Sequence, residues 1–300
     1  MATLTAPQDT SGLPTFRVLA RRSFAAFLRR EGFGLFALIG LLIFILGPMM
    51  SVIFWAFADR WRYPSLVPQV WAWQNEAEPW RFWTETFSRA DILRGLPLSI
   101  GLATIVTGLS MLICLPAAYA FARFRFPGRQ LFLLSFLTTN AFPRLGLYVT
   151  ISVVFYQLRL MGTVPGVVLI QLVNTLLLMI WIPTAAFQGV DRALEEAGLD
   201  VGASPRRVFF QITLPLVLPA LSAAVLLTFV GTFYEAQGAF IIGIPNVRTL
   251  PVIMYTLIEN QVVAQYGAIV SLVLWVPSLF MLMFANRLLR GGYLTAGFGV

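Results

Sequence analysis

Long apolar blocks alternate with polar stretches along the whole chain. The first block runs from Phe33 to Ala58, the second from about Gly95 to Phe121 and the third from about Gln130 to Phe155. The fourth covers about Val164 to Phe187, the fifth about Ile212 to Phe233 and the sixth Tyr266 to Leu289. Each is near the ~20 residues with which a helix crosses ~30 Å of hydrocarbon. The pattern therefore predicts an all-α integral membrane protein with six transmembrane helices. Polar sequence separates the blocks: a Trp-rich segment from Asp59 to about Arg94, a stretch from Gln188 to Gln211, and an irregular stretch after Phe233 that reaches about Gln265. The expected organisation is an N-terminal segment over 1–32, a transmembrane domain over 33–290 containing a polar loop at 189–215, and a tail over 291–300. Ala2 to Gly12 is expected to be disordered. No short apolar core with a small-residue cleavage site precedes the first block, so a cleaved signal peptide is not expected.

Composition supports this class and narrows the chemistry. Apolar residues make up 58% of the 300 positions and charged residues 11%, with a mean hydropathy of +0.81. A water-soluble domain carries roughly a quarter charged residues. The chain has no Lys and no His, and one Cys, Cys114. A P-loop needs its Lys, Schiff-base chemistry needs a Lys amine, and most acid–base relays use His. A His/Cys zinc site and an intrachain disulfide are excluded outright. All 21 basic residues are Arg and the net charge is +8, as suits arginines held at an anionic leaflet rather than a nucleic-acid surface.

The arginines also give an orientation. With the N-terminus inside, the cytoplasmic side holds Arg17, Arg21, Arg22, Arg29, Arg30, Arg123, Arg125, Arg129, Arg192, Arg206, Arg207, Arg287 and Arg290. The other side holds Arg60, Arg62, Arg81, Arg89, Arg94, Arg159 and Arg248. The bias places both termini in the cytoplasm. Prolines interrupt most blocks (Pro48, Pro116, Pro143, Pro183, Pro219 and Pro277) and read as kinks in a packed bundle. Pro143 stands apart because Arg144 follows it.

The segment from Asp191 to Pro215 reads as two short helices. Asp191 caps the first, whose apolar stripe is Leu194, Ala197 or Gly198, and Val201. Gly202 suits the left-handed residue that ends it, and Ser204 caps a second helix with Pro205 at its first position. On physics alone this is either a docking element or an ordinary surface loop.

The same segment resembles the signature loop of ABC-importer membrane subunits: Glu-Ala-Ala, three residues, Gly, nine residues, Ile-x-Leu-Pro. Here it is Glu196-Ala197-Gly198, Gly202 and Ile212-Thr213-Leu214-Pro215, with Gly198 where a second Ala is usual. The turn Ala117 to Arg129, Phe142-Pro143, Glu235 and the tail Gly292 to Gly297 are similar to carbohydrate-importer permeases of the maltose-system type. Glu235 stands in a different context, Phe233-Tyr234-Glu235-Ala236, from the Trp-Asn-Glu-Phe of those proteins. Gly243 to Pro251 also looks like polyamine and opine permeases. The resemblance implies a type I ABC importer transmembrane fold in a bacterial cytoplasmic (inner) membrane. It implies a non-catalytic pore subunit that binds no cofactor itself. ATP and Mg would be bound by a partner ATPase dimer, beside a second homologous permease and an extracytoplasmic solute-binding protein. The ATPase-coupling loop would then be Leu194, Glu195, Glu196, Ala197, Gly198, Asp200, Gly202, Ala203, Ser204, Ile212, Leu214 and Pro215. A secondary carrier would instead use intramembrane carboxylates, of which only Glu235 offers itself; a membrane enzyme is disfavoured by the missing His and Lys.

Polar residues inside apolar blocks are the remaining candidates. An unpaired Arg near mid-bilayer costs roughly 2.5–3.5 kcal/mol, so Arg144 should meet a cavity or a partner. Arg144 and Glu235 are expected either to pair or to line a translocation path with Asn140, Asn174 and Gln237; a structural ion pair or a contact with the partner pore subunit is the other reading. Asn140, Gln171 and Asn174 suit interhelical hydrogen bonds. The tryptophans at 71, 73, 80 and 83 fit an interfacial belt or a sugar-stacking surface.

Overall fold

The computed structural model describes residues 16–260 and 263–290, with side chains at 32, 34–138, 142–259 and 263–283. The expected disorder at Ala2–Gly12, the tail and the side chain of Asn140 lie outside the described residues. The chain divides into two units, 1–54 and 55–300. In the first, helix α1 begins at Phe16 and continues as far as Phe57. It is helical well ahead of the apolar block, and Gly34–Phe57 is the part apolar enough to span a membrane. Pro48 lies within it, and the Ser51 hydroxyl donates to the Pro48 carbonyl at 2.6 Å.

The second unit opens with a short antiparallel pair, β1 Ala58–Arg60 and β2 Val70–Trp71, followed by helix α2 Arg81–Ser88. The indoles here pack on one another: Trp71 stacks on Trp73 at 5.1 Å and 12°, and Trp80 meets Trp73 and Trp83. The Trp83 indole donates to the Ala56 carbonyl at 2.7 Å.

Long helices follow: α3 Ala90–Arg123, α6 Val164–Gly189, α9 Leu214–Phe233 and α12 Ala264–Arg290. Among the described residues five helical stretches are long and apolar enough to cross a membrane, the fourth running unbroken from Pro205 to Phe233. The third apolar block is not one of them. It is two helices, α4 Arg129–Ala141 and α5 Arg144–Gln157, broken at Phe142–Pro143. Pro143 has no N–H to continue the ladder and holds Phe142 extended at ψ 145°. The other prolines in the blocks stay inside helices.

The stretch after Phe233 is more ordered than its irregular sequence predicts. It forms α10 Gln237–Gly243 and α11 Leu250–Asn260. The buried Ser99 hydroxyl accepts from the Leu250 amide at 2.7 Å, fastening the start of α11 to α3. The core lies where α3, α6 and α9 cross. Small residues Ala103, Ser110, Ala118 and Ala122 of α3 are buried, which lets the backbones approach closely. Ser110 bonds Thr175, and Thr184 donates to the Ala118 carbonyl at 3.4 Å, tying α3 to α6.

Candidate functional site

The loop after α6 begins with Asp191, whose carboxylate accepts from the Ala193 amide at 3.0 Å and caps α7 Arg192–Asp200. Gly202 has φ +87°, its amide donates to the Leu199 carbonyl at 2.9 Å and the Ala203 amide to that of Gly198 at 3.2 Å. This is the paired-bond helix ending that a left-handed glycine permits. Ser204 then accepts from the Arg207 amide at 3.4 Å, with Pro205 at the first position of α8 Pro205–Val208. Sequence reasoning expects a separate second helix; instead α8 runs into α9 through a π-helical turn, Phe209–Thr213.

One face of α7 is fixed to the bundle. Gly198 is buried, and a methyl group there would lie 2.7 Å from the Ile212 Cδ1, so the usual Ala is replaced where Ile212 fills the space. Glu195 accepts from the Arg123 guanidinium at 2.8 Å and from the Thr213 hydroxyl at 2.7 Å. The same guanidinium donates to the Val190 carbonyl at 3.1 Å, and Arg192 reaches back to the Arg123 carbonyl at 3.3 Å. Arg123 and Glu195 have side chains only 8% and 14% exposed. Glu195 thus joins the end of α3, the surface helix and the base of α9. The sequence reading missed Arg123, which stands 72 positions from its partner; an arginine ending an apolar block was the one available signal.

The other face of α7 is open. Leu194 is 49% exposed and Val201 86%, with Glu196, Ala197, Leu199 and Asp200 also exposed. Leu194, Ala197 and Val201 follow helical spacing, so the predicted stripe exists but points away from the bundle.

A second site lies among α5, α6, α9 and α10. Arg144, Asn174, Glu235 and Gln237 line one cavity of about 510 Å³, together with Thr228 and Thr232. Arg144 is the first residue of α5, freed for this position by the break at Pro143. Asn174 donates to the buried Tyr148 hydroxyl. Glu235 caps α10: its carboxylate accepts from the Gly238 amide at 2.6 Å and the Ala239 amide at 3.1 Å, and the Gln171 amide lies 3.5 Å away. Because two backbone amides use this carboxylate, Glu235→Ala is expected to cost about 1 kcal/mol, as lost caps do. Reversing both charges, Arg144→Glu with Glu235→Arg, should recover less than half of the lost melting temperature, since an arginine cannot accept from Gly238 and Ala239. Thermal melts of the two singles and the double check this.

The fold is that of the membrane-spanning subunits of ABC importers. A bacterial alginate ABC transporter, in complex with an alginate pentasaccharide-bound periplasmic protein, aligns with TM-score 0.68 at 14% identity, covering 90% of this chain and 96% of that one. The chain belongs to the family of binding-protein-dependent transport system inner membrane components, whose model matches residues 110–290. It is therefore an inner-membrane transport subunit. It is 29% identical to the trehalose transport system permease protein SugB of Mycobacterium tuberculosis, over 66% of this chain and 74% of that protein. It is likewise 29% identical to the maltose/maltodextrin transport system permease protein MalG of Vibrio vulnificus, over 69% and 72%. The putrescine transport system permease protein PotI of Escherichia coli is 25% identical over 77% and 82%.

Proposed function

We propose that this chain forms part of the pore of an ATP-driven importer and passes a sugar or sugar derivative delivered by an extracytoplasmic binding protein. In this reading it has six spans, the broken pair α4 and α5 making one of them, and both termini are cytoplasmic. A second permease completes the pore, a partner ATPase dimer binds ATP and Mg, and this chain does no chemistry. Sugar is favoured over polyamine because the trehalose and maltose permeases are more similar to the chain than the putrescine permease. Arg144, Asn174, Glu235 and Gln237 belong to the translocation path, with Asn140 on the same broken span.

The observation that carries this reading is α7 itself: one face pinned through Glu195 and the other presenting Leu194, Ala197 and Val201. An apolar stripe on a short helix, held rigid from behind, is built to seat in a partner and to pass on its movement. The test is Leu194→Glu with Val201→Glu, which puts charges on the open face without touching the pinned one. The pair is expected to lower ATPase co-purification and substrate-stimulated ATP turnover at least about tenfold, the effect of desolvating charge at an interface core. The melting temperature of the chain should be unchanged. Undiminished association would sink the coupling role, and transport without ATP would overturn the importer reading and turn attention to Glu235.

A further inference from the structure

A second cavity, of about 660 Å³, opens where the turn after α3 meets the end of α6. Its lining includes Arg125, Arg129 and Gln188 together with the apolar Phe126, Leu131 and Leu133. Neither guanidinium has a carboxylate partner among the described residues. Phe126 is held by its ring contact with Phe121 at 5.7 Å. Gly128, at φ +77°, opens α4, and no side chain caps that helix's amino end. Its positive pole therefore adds to the two arginines. From the cleft an exposed apolar strip continues along α4 through Leu131, Leu134 and Leu137, which are 74%, 46% and 41% exposed.

We propose that this cleft seats an anionic phospholipid, its phosphate against Arg125 and Arg129 and its acyl chains along the apolar strip of α4. The lining combines cationic and apolar side chains, as a phospholipid combines phosphate and acyl chains. A soluble anion would leave Leu131 and Leu133 unused, and an acidic protein surface would have to cover the apolar strip as well. Position agrees: Arg192 bonds the Arg123 carbonyl, so the turn lies at the same arginine-rich end as α7. Paired arginines at that level of a bilayer attract anionic headgroups. The assignment stands independently of the transported substrate and of the importer reading.

The experiment is native mass spectrometry of the full-length chain, extracted with its bound subunits from vesicles of equal phosphatidylglycerol and phosphatidylcholine. The wild type is expected to retain phosphatidylglycerol selectively. Arg125→Gln with Arg129→Gln should lower that retention on the order of tenfold, given the attraction of each arginine for an anionic surface. The exposed pair Arg206→Gln with Arg207→Gln should leave it unchanged. Equal retention by wild type and the Arg125/Arg129 variant overturns the proposal. Loss of a bound protein subunit at full lipid retention assigns the face to that subunit instead. Should the variant fail to fold, a photoactivatable phosphatidylglycerol on the wild type decides the matter: crosslinks within residues 125–134 support the site, and crosslinks only elsewhere exclude it.

Discussion

Replacing Arg123 by Met is expected to reduce substrate-stimulated ATP turnover of the assembled transporter at least about tenfold while leaving a folded, membrane-inserted chain. The guanidinium is the shared donor to Glu195 and to the Val190 carbonyl. Without it, a carboxylate that is only 14% exposed keeps a single hydroxyl partner, Thr213. Removing one member of a buried pair costs about 3 kcal/mol, mostly the charge left behind. That loss falls on the attachment of α7 and the end of α6, while Ser110–Thr175 and Thr184–Ala118 still tie α3 to α6 within the core. The double variant Arg123→Met with Glu195→Met removes the stranded charge and should melt above Arg123→Met alone, with a coupling of about 1–3 kcal/mol between the two sites. It should remain uncoupled, since α7 is then no longer fixed. Melting temperatures of the four proteins, read beside their ATPase rates, separate the two effects. Additive losses would show that Arg123 and Glu195 act independently, contrary to the geometry.

Gly166→Ala is expected to have the largest effect on the fold itself. Gly166 sits in the first turn of α6, where its amide donates to the capping Thr163 hydroxyl at 3.1 Å. An added methyl group would lie 2.2 Å from the Leu160 carbonyl oxygen and 3.0 Å from Ile242 of α10. That carbonyl already accepts from Thr163 at 2.7 Å, so it cannot turn away without breaking the cap. Backbone must move, at a cost of about 3 kcal/mol or more. Because Ile242 belongs to the helix that Glu235 caps, the polar cavity should loosen too. A purified Gly166→Ala chain should melt several degrees lower, whereas Gly108→Ala, with nothing within 4 Å of the added methyl, should be neutral or slightly stabilised. Equal melts for both would show that the close approach at Leu160 relaxes freely.

These two residues also mark what a sequence can and cannot disclose. Continuous apolar stretches announce spanning helices because hydrocarbon leaves few alternatives. The ends of α7 were readable for a similar reason: Asp191, Gly202 and Ser204 each solve a local backbone problem within three or four residues. Arg123 and Glu195 meet only after the chain has run through α4, α5 and α6, and nothing in the sequence near either one records the pairing. Gly166 looks like any helical glycine until Leu160 folds back on it. The break at Phe142–Pro143 was half legible, since a proline beside an arginine drew notice, but a kinked helix and two separate helices share the same apolar composition. Leu250–Asn260 is hard to see in the sequence because eleven residues are too few for a span and polar residues flank them.

The wide turn at Phe209–Thr213 has a consequence for how this region can vary. The Leu214 amide reaches back five residues to the Phe209 carbonyl, so the turn contains one residue more than a regular helix would use. Each residue of an α-helix turns the chain by about 100°. A chain shorter by one residue here would regularise the turn and rotate everything before it by that angle, swinging Ile212 off Gly198 and separating Thr213 from Glu195. The distance in sequence from Gly202 to Leu214-Pro215 is thus a phase setting between a surface helix and a membrane helix. Side chains within it can be exchanged far more freely than its length.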